Sequence, residues 1–382
     1  MRRRLVVPWN RLRGGGVVDR MATSAPASEA LVERLFSATI DALELLSVHL
    51  GTRLGLYGAL RDGGPLTPGE LAAAAGIHER YAREWLEQQA VAGFLAVEDA
   101  AAAAAERRYA LPAEHAGVLA EPEDDAHVAP FARMLAGIGG VLPALVEAYR
   151  TGAGVPYSDY GADFRHGQGD INRPAFLHDL PATWIPAMPD VHARLADGER
   201  PARVADVGCG HGWAAVSVAQ AYPTARVDGI DADAASIAQA TDYAAAAGVA
   251  DRVRFLERDA AALADSGPYD LVMILEVLHD LARPVETLAA VRAALAPGGS
   301  VLVADERVAD AFTAPGDEIE RMMYGWSVLH CLPTQMTEAP SAALGTVLRA
   351  DTLRELAAAA GFAGVEVLPV DNDLFRFYRL RG

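Results

Sequence analysis

The residues best suited to chemistry form a short glycine-rich stretch in the second half of the chain. The apolar run Val204-Ala205-Asp206-Val207 contains one acid, and Gly208-Cys209-Gly210-His211-Gly212 follows it directly. Glycines at alternate positions let the backbone adopt positive φ and approach a ligand closely. A helix predicted from about Trp213 would point its free N–H groups and its positive dipole end at that ligand. The stretch therefore predicts a cofactor-binding loop.

Two common cofactor loops do not fit this spacing. The dinucleotide fingerprint has glycine at its first, third and sixth positions, but Trp213 stands at the sixth position counted from Gly208. The stretch also lacks the Lys-Ser/Thr of a phosphate-binding P-loop. The pattern therefore speaks against NAD and against a P-loop nucleotide.

Further acids stand at the ends of predicted strands. The run 225–231 ends at Asp231, the run from Val253 leads to Asp259, and a continuous apolar strand over 269–277 contains Glu276. Because predicted strands and helices alternate, we expect a parallel sheet with right-handed crossovers. An acid at the tip of the second strand can accept hydrogen bonds from both ribose hydroxyls of a nucleoside.

In this order, the loop and the strands resemble the motifs of class I S-adenosylmethionine-dependent methyltransferases, and Leu295–Val303 resembles that family's turn into its fifth strand. The resemblance implies an α/β fold with a Rossmann-like, seven-stranded, mostly parallel sheet. It implies S-adenosyl-L-methionine as cofactor and S-adenosyl-L-homocysteine as product. The cofactor-binding residues that it implies are Asp206, Gly208, Cys209, Gly210, Gly212, Asp231, Ala232, Asp259, Ala260, Leu275 and Glu276.

His279, just past the fourth strand, is the candidate catalytic residue. Methyl transfer to a hydroxyl requires removal of a proton, and an imidazole titrates near neutral pH. The His279-Asp280 pair resembles that of small-molecule O-methyltransferases, whose matching histidine is the base, although Leu281 replaces their usual tryptophan. The alternative is a histidine that lines the pocket or caps a helix. Glu276 and Glu306 could assist, or could be structural acids.

A winged helix is predicted in the N-terminal part. A helical pattern runs from about Ser28 to Leu60, a capped helix begins at Thr67, and a second helix (78–92) precedes a two-stranded return. The charged residues of the second helix, Glu79, Arg80, Arg83, Glu84 and Glu87, leave it net negative. A net negative charge on this helix disfavours its binding to the phosphate backbone of DNA. Small-molecule O-methyltransferases carry a similar domain, so the resemblance implies a homodimer through it and speaks against nucleic acid as a partner.

Two aromatic segments are candidates for binding the methyl acceptor. One lies in a predicted helical linker, and the other lies in an insertion that follows the fifth strand. The candidate acceptor-binding residues are Tyr157, Tyr160, Phe164, Tyr324 and Trp326. The alternative is that these side chains pack the domain junction, the core or a dimer contact.

The chain after Met21 is similar to bacterial winged-helix methyltransferases, a group sometimes labelled transcriptional regulator/methyltransferase. Its Asn172–Phe176 stretch matches their Asn-Arg-Pro-Ala-Phe-like segment. We therefore predict a disordered leader, a winged-helix dimerisation domain, a helical linker that covers the active site, and a methyltransferase domain with an insertion. Their predicted bounds are 1–27, 28–120, 121–198, 199–382 and, for the insertion, 309–346.

Composition narrows the functional classes. The formal net charge of the 382 residues is −18, which disfavours binding to a phosphate backbone. The two cysteines, Cys209 and Cys331, argue against a disulfide framework and fit a reducing cytoplasm. With no histidine–glutamate metal signature, we expect no metal. Because no apolar run approaches the length of a bilayer span, we expect no membrane contact.

Three functions remain open from the sequence. The first is methylation of an oxygen or nitrogen of a small molecule, in bacterial secondary metabolism. The second is a winged-helix regulator that binds S-adenosylmethionine as a signal. The third is an enzyme that keeps the cofactor but catalyses a changed reaction, such as decarboxylation or cyclisation.

Overall fold

The computed structural model describes residues 27–382. The predicted disordered leader therefore lies outside the described residues, except for Ala27, which begins the first helix. The described chain divides after Glu44 into two compact units, 27–44 and 45–382, and the second contains all the elements discussed as functional.

From Ala27 to Leu195 the chain is mostly helical, with one short strand pair, and after that helices alternate with strands. The helices are α1 (Ala27–Arg53), α2 (Leu56–Gly63), α3 (Pro68–Ala75), α4 (Glu79–Val91), α5 (Ala113–Ala120), α6 (Pro130–Thr151), α7 (Gly161–Ile171), α8 (Arg173–Asp179), α9 (Pro189–Leu195), α10 (Trp213–Ala221), α11 (Ala234–Ala246), α12 (Pro284–Ala293), α13 (Glu318–Trp326), α14 (Leu332–Gln335) and α15 (Ala350–Ala359). The strands are β1 (Ala96–Val97), β2 (Tyr109–Ala110), β3 (Arg203–Val207), β4 (Arg226–Asp231), β5 (Val253–Glu257), β6 (Tyr269–Leu275), β7 (Leu295–Glu306), β8 (Gly364–Val367) and β9 (Phe375–Arg381).

The winged helix is present as predicted. Thr67 caps α3, because its hydroxyl accepts a hydrogen bond from the Glu70 amide (3.3 Å) and the Glu70 carboxylate accepts one from the Thr67 amide (2.8 Å). Both donors would otherwise be unpaired at the helix start. α4 follows α3, and β1 and β2 pair antiparallel as the return. Leu71 and Leu86 are buried between these elements.

The predicted helix from Ser28 to Leu60 is in fact two helices. α1 ends at Arg53, and α2 begins at Leu56. Gly55, between them, has a φ of 69°. That left-handed conformation ends a helix and costs a glycine little. The apolar spacing continues across the break, so periodicity alone could not reveal it.

The seven-stranded, mostly parallel sheet is confirmed. Its strand order is β5-β4-β3-β6-β7-β9-β8. The first five strands are parallel, and β9 pairs antiparallel with both β7 and β8. Successive β3 side chains pack into different cores: Val204 lies in one, and Ala205 and Val207 lie in the other. The sheet is therefore covered on both faces, which explains its nearly continuous apolar strands.

The order of the strands locates the site. From β3 the chain proceeds outward to β4 and β5, and it then returns to place β6 on the other side of β3. The connections after β3 and β6 therefore diverge. In open α/β sheets, ligands bind outside the carboxyl ends of the strands at such a switch point. The glycine loop follows β3, and Glu276 follows β6.

Helix α6 corrects one expectation from the sequence. By length and composition alone, α6 could cross a membrane, and it is the one helix among the described residues that meets this criterion. Core helices pass the same test, and Met134, Ile138 and Leu145 of α6 are buried in a cluster that includes Phe164 of α7. The expectation that no run approaches that length was wrong.

Candidate active site

The glycine loop has the geometry that its sequence predicted. Gly208, Gly210 and Gly212 have φ values of 68°, 48° and 76°, all in the left-handed region. A Cβ on Gly208 would lie 2.5 Å from the side chain of Val277, whereas one on Gly210 would meet no atom within 4 Å. The loop is therefore tightly packed at its first glycine and open at its second.

Asp231, at the end of β4, braces the loop. Its Oδ2 accepts a hydrogen bond from the Gly210 amide (2.8 Å), and its Oδ1 accepts one from the Asp233 amide (2.8 Å). Burial raises the pKa of this carboxyl above its usual value. Each oxygen keeps capacity for a second donor, such as a ligand hydroxyl.

Asp206 lies behind the loop. Its side chain is 2% exposed, and its Oδ2 has no hydrogen-bond partner among the described residues. Burial raises the pKa of Asp206 to about 7, although a hydrogen bond from the Ala215 amide lowers it in part. An acid with such a pKa changes its charge near neutral pH.

A cavity of about 540 Å³ opens over the loop, and we call it the cofactor cavity. Nine of the predicted cofactor residues line it: Gly208, Cys209, Gly210, Asp231, Ala232, Asp259, Ala260, Leu275 and Glu276. Asp206 and Gly212 lie outside its lining. A Cβ on Gly212 would lie 2.4 Å from the Phe255 ring, so this glycine lets helix α10 pack closely.

A second cavity of about 320 Å³ adjoins the first, and we call it the acceptor cavity. The two share five lining residues: Gln168, Asn172, Glu276, Asp280 and His330. Phe131 and Trp326 are stacked in its wall with ring centroids 6.0 Å apart, and Phe164 lies in it as well. Apolar walls with a few convergent polar groups are typical of small-molecule sites.

His279 lies in the wall of the acceptor cavity and is 3% exposed. Its Nδ1 donates to Oδ1 of Asp305 (3.0 Å), at the end of β7, and its Nε2 lies 3.5 Å from Oδ1 of Asp280. Burial lowers the pKa of His279, but the Asp305 and Asp280 carboxylates outweigh burial and raise it well above its usual value. The ring is therefore oriented by one carboxylate and faces a second.

Two carboxyl groups, those of the half-buried Glu276 and the buried Glu306, lie beside this histidine. Glu276 has a φ of 58°, which costs a residue other than glycine about 1–2 kcal/mol. Oε2 of Glu276 accepts a hydrogen bond from the side-chain amide of Asn172 (3.1 Å). Oε1 of Glu276 has no hydrogen-bond partner among the residues described, and neither has Oε2 of Glu306. Burial raises the pKa of Glu276 to about 7, and burial with the nearby Glu276 charge raises that of Glu306 well above its usual value.

The insertion places His330 and Cys331 in the acceptor cavity through a π-helical turn over Ser327–Cys331. The His330 ring stacks on Phe164 with centroids 4.2 Å apart. Burial lowers the pKa of His330 to about 4, so the ring is neutral at physiological pH. The sequence analysis missed both residues. The signal that could have found them is a histidine and one of only two cysteines next to the Tyr324–Trp326 segment.

The five predicted acceptor-binding aromatics lie in three different places. Phe164 and Trp326 line the acceptor cavity, and Tyr157 lines the cofactor cavity, where its hydroxyl donates to Gln168 (2.9 Å). Tyr160 lines neither cavity, because its hydroxyl donates to the Leu329 carbonyl (2.8 Å). Tyr324 also lines neither cavity and is 38% exposed.

One group of side chains has the donor atoms of a metal site. His279, Asp280 and Cys331 each place one such atom within 4.8 Å of the others. Nε2 of His279 lies 3.8 Å from the Cys331 sulfur, a distance that also suits a weak hydrogen bond. The expected absence of a metal stays a prediction.

A model of the methyltransferase domain family matches residues 176–367, half of the chain. The chain belongs to this family. A second model, the Rv2258c-like winged HTH domain, matches residues 42–121. These matches confirm the resemblance to class I methyltransferases with an N-terminal winged helix, and with it the expected cofactor, S-adenosylmethionine.

Curated relatives match the methyltransferase over part of their length. Trans-aconitate 2-methyltransferase of Streptomyces avermitilis is 34% identical over 129 residues, which cover 34% of this chain and 45% of the relative. Ubiquinone biosynthesis O-methyltransferase of Burkholderia orbicola is 32% identical over 128 residues, which cover 33% of this chain and 51% of the relative. The chain thus spans about half the length of these relatives.

Solved structures match nearly the whole methyltransferase. The alignment with the mitomycin 7-O-methyltransferase MmcR covers 93% of this chain and 99% of MmcR, at 20% identity and a TM-score of 0.64. The alignment with human N-acetylserotonin methyltransferase, solved in complex with its cofactor, covers 94% of this chain and 99% of that protein, at 17% identity and a TM-score of 0.65. At these identities the likeness shows the fold.

The residues of the cofactor cavity fit S-adenosylmethionine. The open space at Gly210 lets a ligand contact the backbone, and the remaining acceptor capacity of Asp231 suits ribose hydroxyls. The cavity volume of about 540 Å³ is in the range of sites for cofactor-sized molecules. The carboxylates in its wall also suit a ligand that carries a sulfonium and an ammonium group.

Proposed function

We propose that this methyltransferase methylates a hydroxyl or amine of a small molecule, with His279 as the general base. The position of His279 carries the proposal. Asp305 holds one ring nitrogen, and the other lies beside Asp280 and Cys331, which line the acceptor cavity with it. This cavity adjoins the one that fits the cofactor.

The binding roles follow from the loop. We propose that the backbone of Gly208, Cys209 and Gly210 contacts the cofactor, that Asp231 accepts its ribose hydroxyls, and that Ala232, Asp259, Ala260, Leu275 and Glu276 complete its site. Asp206 and Gly212 support the loop from behind. When bound, S-adenosylmethionine supplies a methyl group on a sulfonium, with S-adenosylhomocysteine as the leaving group.

The catalytic roles follow from the hydrogen bonds of His279. Above the raised pKa of His279 the ring is neutral, its Nε2 accepts the proton of the acceptor hydroxyl, and the Asp305 carboxylate stabilises the imidazolium that results. Asp305 also fixes the Nδ1–H tautomer, so that the lone pair stays on Nε2. The apolar walls, including Phe164 and Trp326, orient the acceptor and exclude water.

The test compares His279→Ala with His178→Ala, an exposed histidine outside both cavities. Turnover is measured as S-adenosylhomocysteine formed from a panel of phenols, catechols and amines, and affinity for S-adenosylhomocysteine is measured by calorimetry. We expect the His279 variant to lose at least about 100-fold in kcat while its cofactor affinity stays within about twofold. Full turnover by that variant would exclude the base. Lack of cofactor binding by the wild type would refute the methyltransferase function.

We also propose that the winged-helix domain, residues 28–120, serves dimerisation and not DNA binding. Leu46 and Leu50 of α1 and Leu54, which follows that helix, are 45%, 51% and 45% exposed, an apolar surface that suits a second copy of the chain. On α4, Arg80 pairs with Glu84 of the same helix. Light scattering should give twice the chain mass, and a gel shift at physiological salt should show no DNA complex.

A further inference from the structure

The acceptor cavity has an unusual charge balance. Five acids line it: Asp125, Asp179, Glu276, Asp280 and Glu306. Among the described residues of its lining there is no arginine, and the chain contains no lysine. The cavity is therefore built to receive something other than an anion.

Its histidines do not restore a positive charge. Burial lowers the pKa of both His127 and His330, the latter to about 4, so both rings are neutral at pH 8. His279 is flanked by Asp305 (3.0 Å) and Asp280 (3.5 Å), so two carboxylates already compensate its charge. No cationic group of the described lining is left to pair with a carboxylate or phosphate.

Two of the acids have unused hydrogen-bonding atoms. Glu306 is 6% exposed, and its Oε2 has no hydrogen-bond partner among the residues that the structure describes. Oε1 of Glu276 also has no hydrogen-bond partner among these residues, while its Oε2 accepts a hydrogen bond from the side-chain amide of Asn172. Burial favours the neutral form of both carboxyl groups, and a positively charged N–H donor at these oxygens would favour the ionised form and pair with it.

The rest of the wall is apolar. Phe131 and Trp326 are stacked, and Phe164, Met134 and Met323 lie in the same lining. Aromatic and thioether side chains suit a flat apolar ring. One cavity thus combines a surface for a ring with a carboxyl pair next to the proposed base.

We propose that Glu276 and Glu306 select an acceptor in which an apolar ring system carries a basic amine, and that the same pair excludes acceptors bearing carboxylates. This inference rests on the proposed function, because it names the substrate class of that site. It also separates this chain from the tricarboxylate that gives its name to trans-aconitate 2-methyltransferase, the Streptomyces relative.

The experiment uses three catechols that differ in charge: 3,4-dihydroxyphenethylamine, 4-methylcatechol and 3,4-dihydroxybenzoate. Their affinities for the full-length protein are measured at pH 8 by tryptophan fluorescence, with and without saturating S-adenosylhomocysteine. We expect the amine to bind most tightly and the benzoate to bind at least about 100-fold more weakly than the amine, because an ammonium group can pair with the two carboxyl groups, whereas the benzoate carboxylate would be buried with no cationic partner in the described lining. Trans-aconitate should bind no better than the benzoate.

Two variants test whether Glu306 causes the preference for the amine over the benzoate. Glu306→Gln should reduce the ratio of amine to benzoate affinity at least about tenfold. Glu318→Gln, the same change at an exposed residue of α13 outside both cavities, should leave the ratio unchanged. Equal or tighter binding of the benzoate, or an equal effect of both variants, would overturn the inference. Failure of S-adenosylhomocysteine to bind would refute the proposed function alone, because the three catechols are also ranked without it.

Discussion

The two cavities of this methyltransferase are built in different ways. At the cofactor cavity, the turns at the ends of β3 and β4 supply the glycines and Asp231 from one stretch of sequence, and side chains from other segments complete the lining. The acceptor cavity is formed by side chains that α6, α7, β7, α13 and the π-helical turn contribute separately. A local pattern can therefore reveal the first cavity, but it reveals little of the second.

The electrostatics of the two cavities differ as well. In the cofactor cavity, Asp231 is satisfied by two backbone amides. In the acceptor cavity, Glu276 and Glu306 keep unpaired oxygens, and Glu276 has a strained backbone. Strain and unsatisfied buried groups accumulate where a protein binds or transforms a substrate. The carboxylate of Asp231 is thus preformed in its hydrogen bonding, whereas Glu276, which lines both cavities, and Glu306 each keep an oxygen for a partner.

The largest expected effect separates catalysis from cofactor binding. Asp305→Asn should lower kcat about 10²- to 10⁴-fold and leave the affinity for S-adenosylhomocysteine within about twofold, because Asp305 orients His279 and accepts its other hydrogen bond from the Glu306 amide, away from the glycine loop. The measurement is single-turnover kinetics across pH, with exposed Asp310→Asn as the control.

The pH profile distinguishes positioning from a purely structural role. The Asp305 carboxylate raises the pKa of His279, so its removal lowers that pKa. Neutral His279 then forms at lower pH, and the rising limb of the residual rate should shift toward acid. An unchanged limb, or equal loss of cofactor affinity, would contradict the proposed role of Asp305.

The next effect concerns stability beneath the cofactor loop. Burial raises the pKa of Asp206 from 3.8 to about 7, so the folded state binds more protons than the unfolded state between these values. Stability from this group is therefore lost as pH rises from about 4 to 7, by up to roughly 4 kcal/mol. In Asp206→Asn the free energy of unfolding should decline less between pH 5 and 8.

Denaturant titrations at the two pH values provide that measurement. Exposed Asp242→Asn serves as the control, and it should keep the decline of the wild type. The comparison between variants is needed because Glu276 also has a raised pKa and contributes to the decline. An Asp206 variant that declines as steeply as the wild type would show that this carboxyl is not the source.

Much of the fold could be predicted from the sequence. The strand near Val272 is a largely apolar run, and the strand near Val204 is interrupted only by Asp206 after its first residue, because both faces of the sheet are covered; such runs are visible in one dimension. The capping box at Thr67 and the glycine loop are equally local. The break at Gly55 was missed because apolar spacing continues through it.

Less of the acceptor cavity could be predicted, for a physical reason. Asp305 meets His279 only because β7 lies beside β6, and periodicity does not define that distance. The same limit explains Tyr160 and Tyr324, aromatic residues whose spacing suited a pocket but whose side chains point elsewhere. Of the five predicted acceptor-binding residues, Phe164 and Trp326 alone line the acceptor cavity.

A third change tests the cofactor cavity alone. Gly208→Ala should weaken S-adenosylhomocysteine binding about 100-fold, because the new Cβ would lie 2.5 Å from Val277 and the φ of 68° disfavours alanine. The conformation costs about 1–2 kcal/mol and the overlap about 1–3 kcal/mol. Calorimetry supplies the affinity, and Gly139→Ala, with no atom within 4 Å of its Cβ, is the control. Equal affinities in both variants would show that the loop does not hold the cofactor.

The smallest expected effect is that of a chelator. With His279 acting as a base held by Asp305, removal of divalent ions with EDTA should leave kcat within about twofold. Added zinc should inhibit, because His279, Asp280 and Cys331 bring their donor atoms within 4.8 Å and a zinc-bound Nε2 cannot accept a proton. Magnesium, which prefers oxygen ligands, is the control and should not inhibit. Loss of turnover in EDTA with recovery in zinc would reverse this assignment: the acceptor cavity would then use a metal where we place a base.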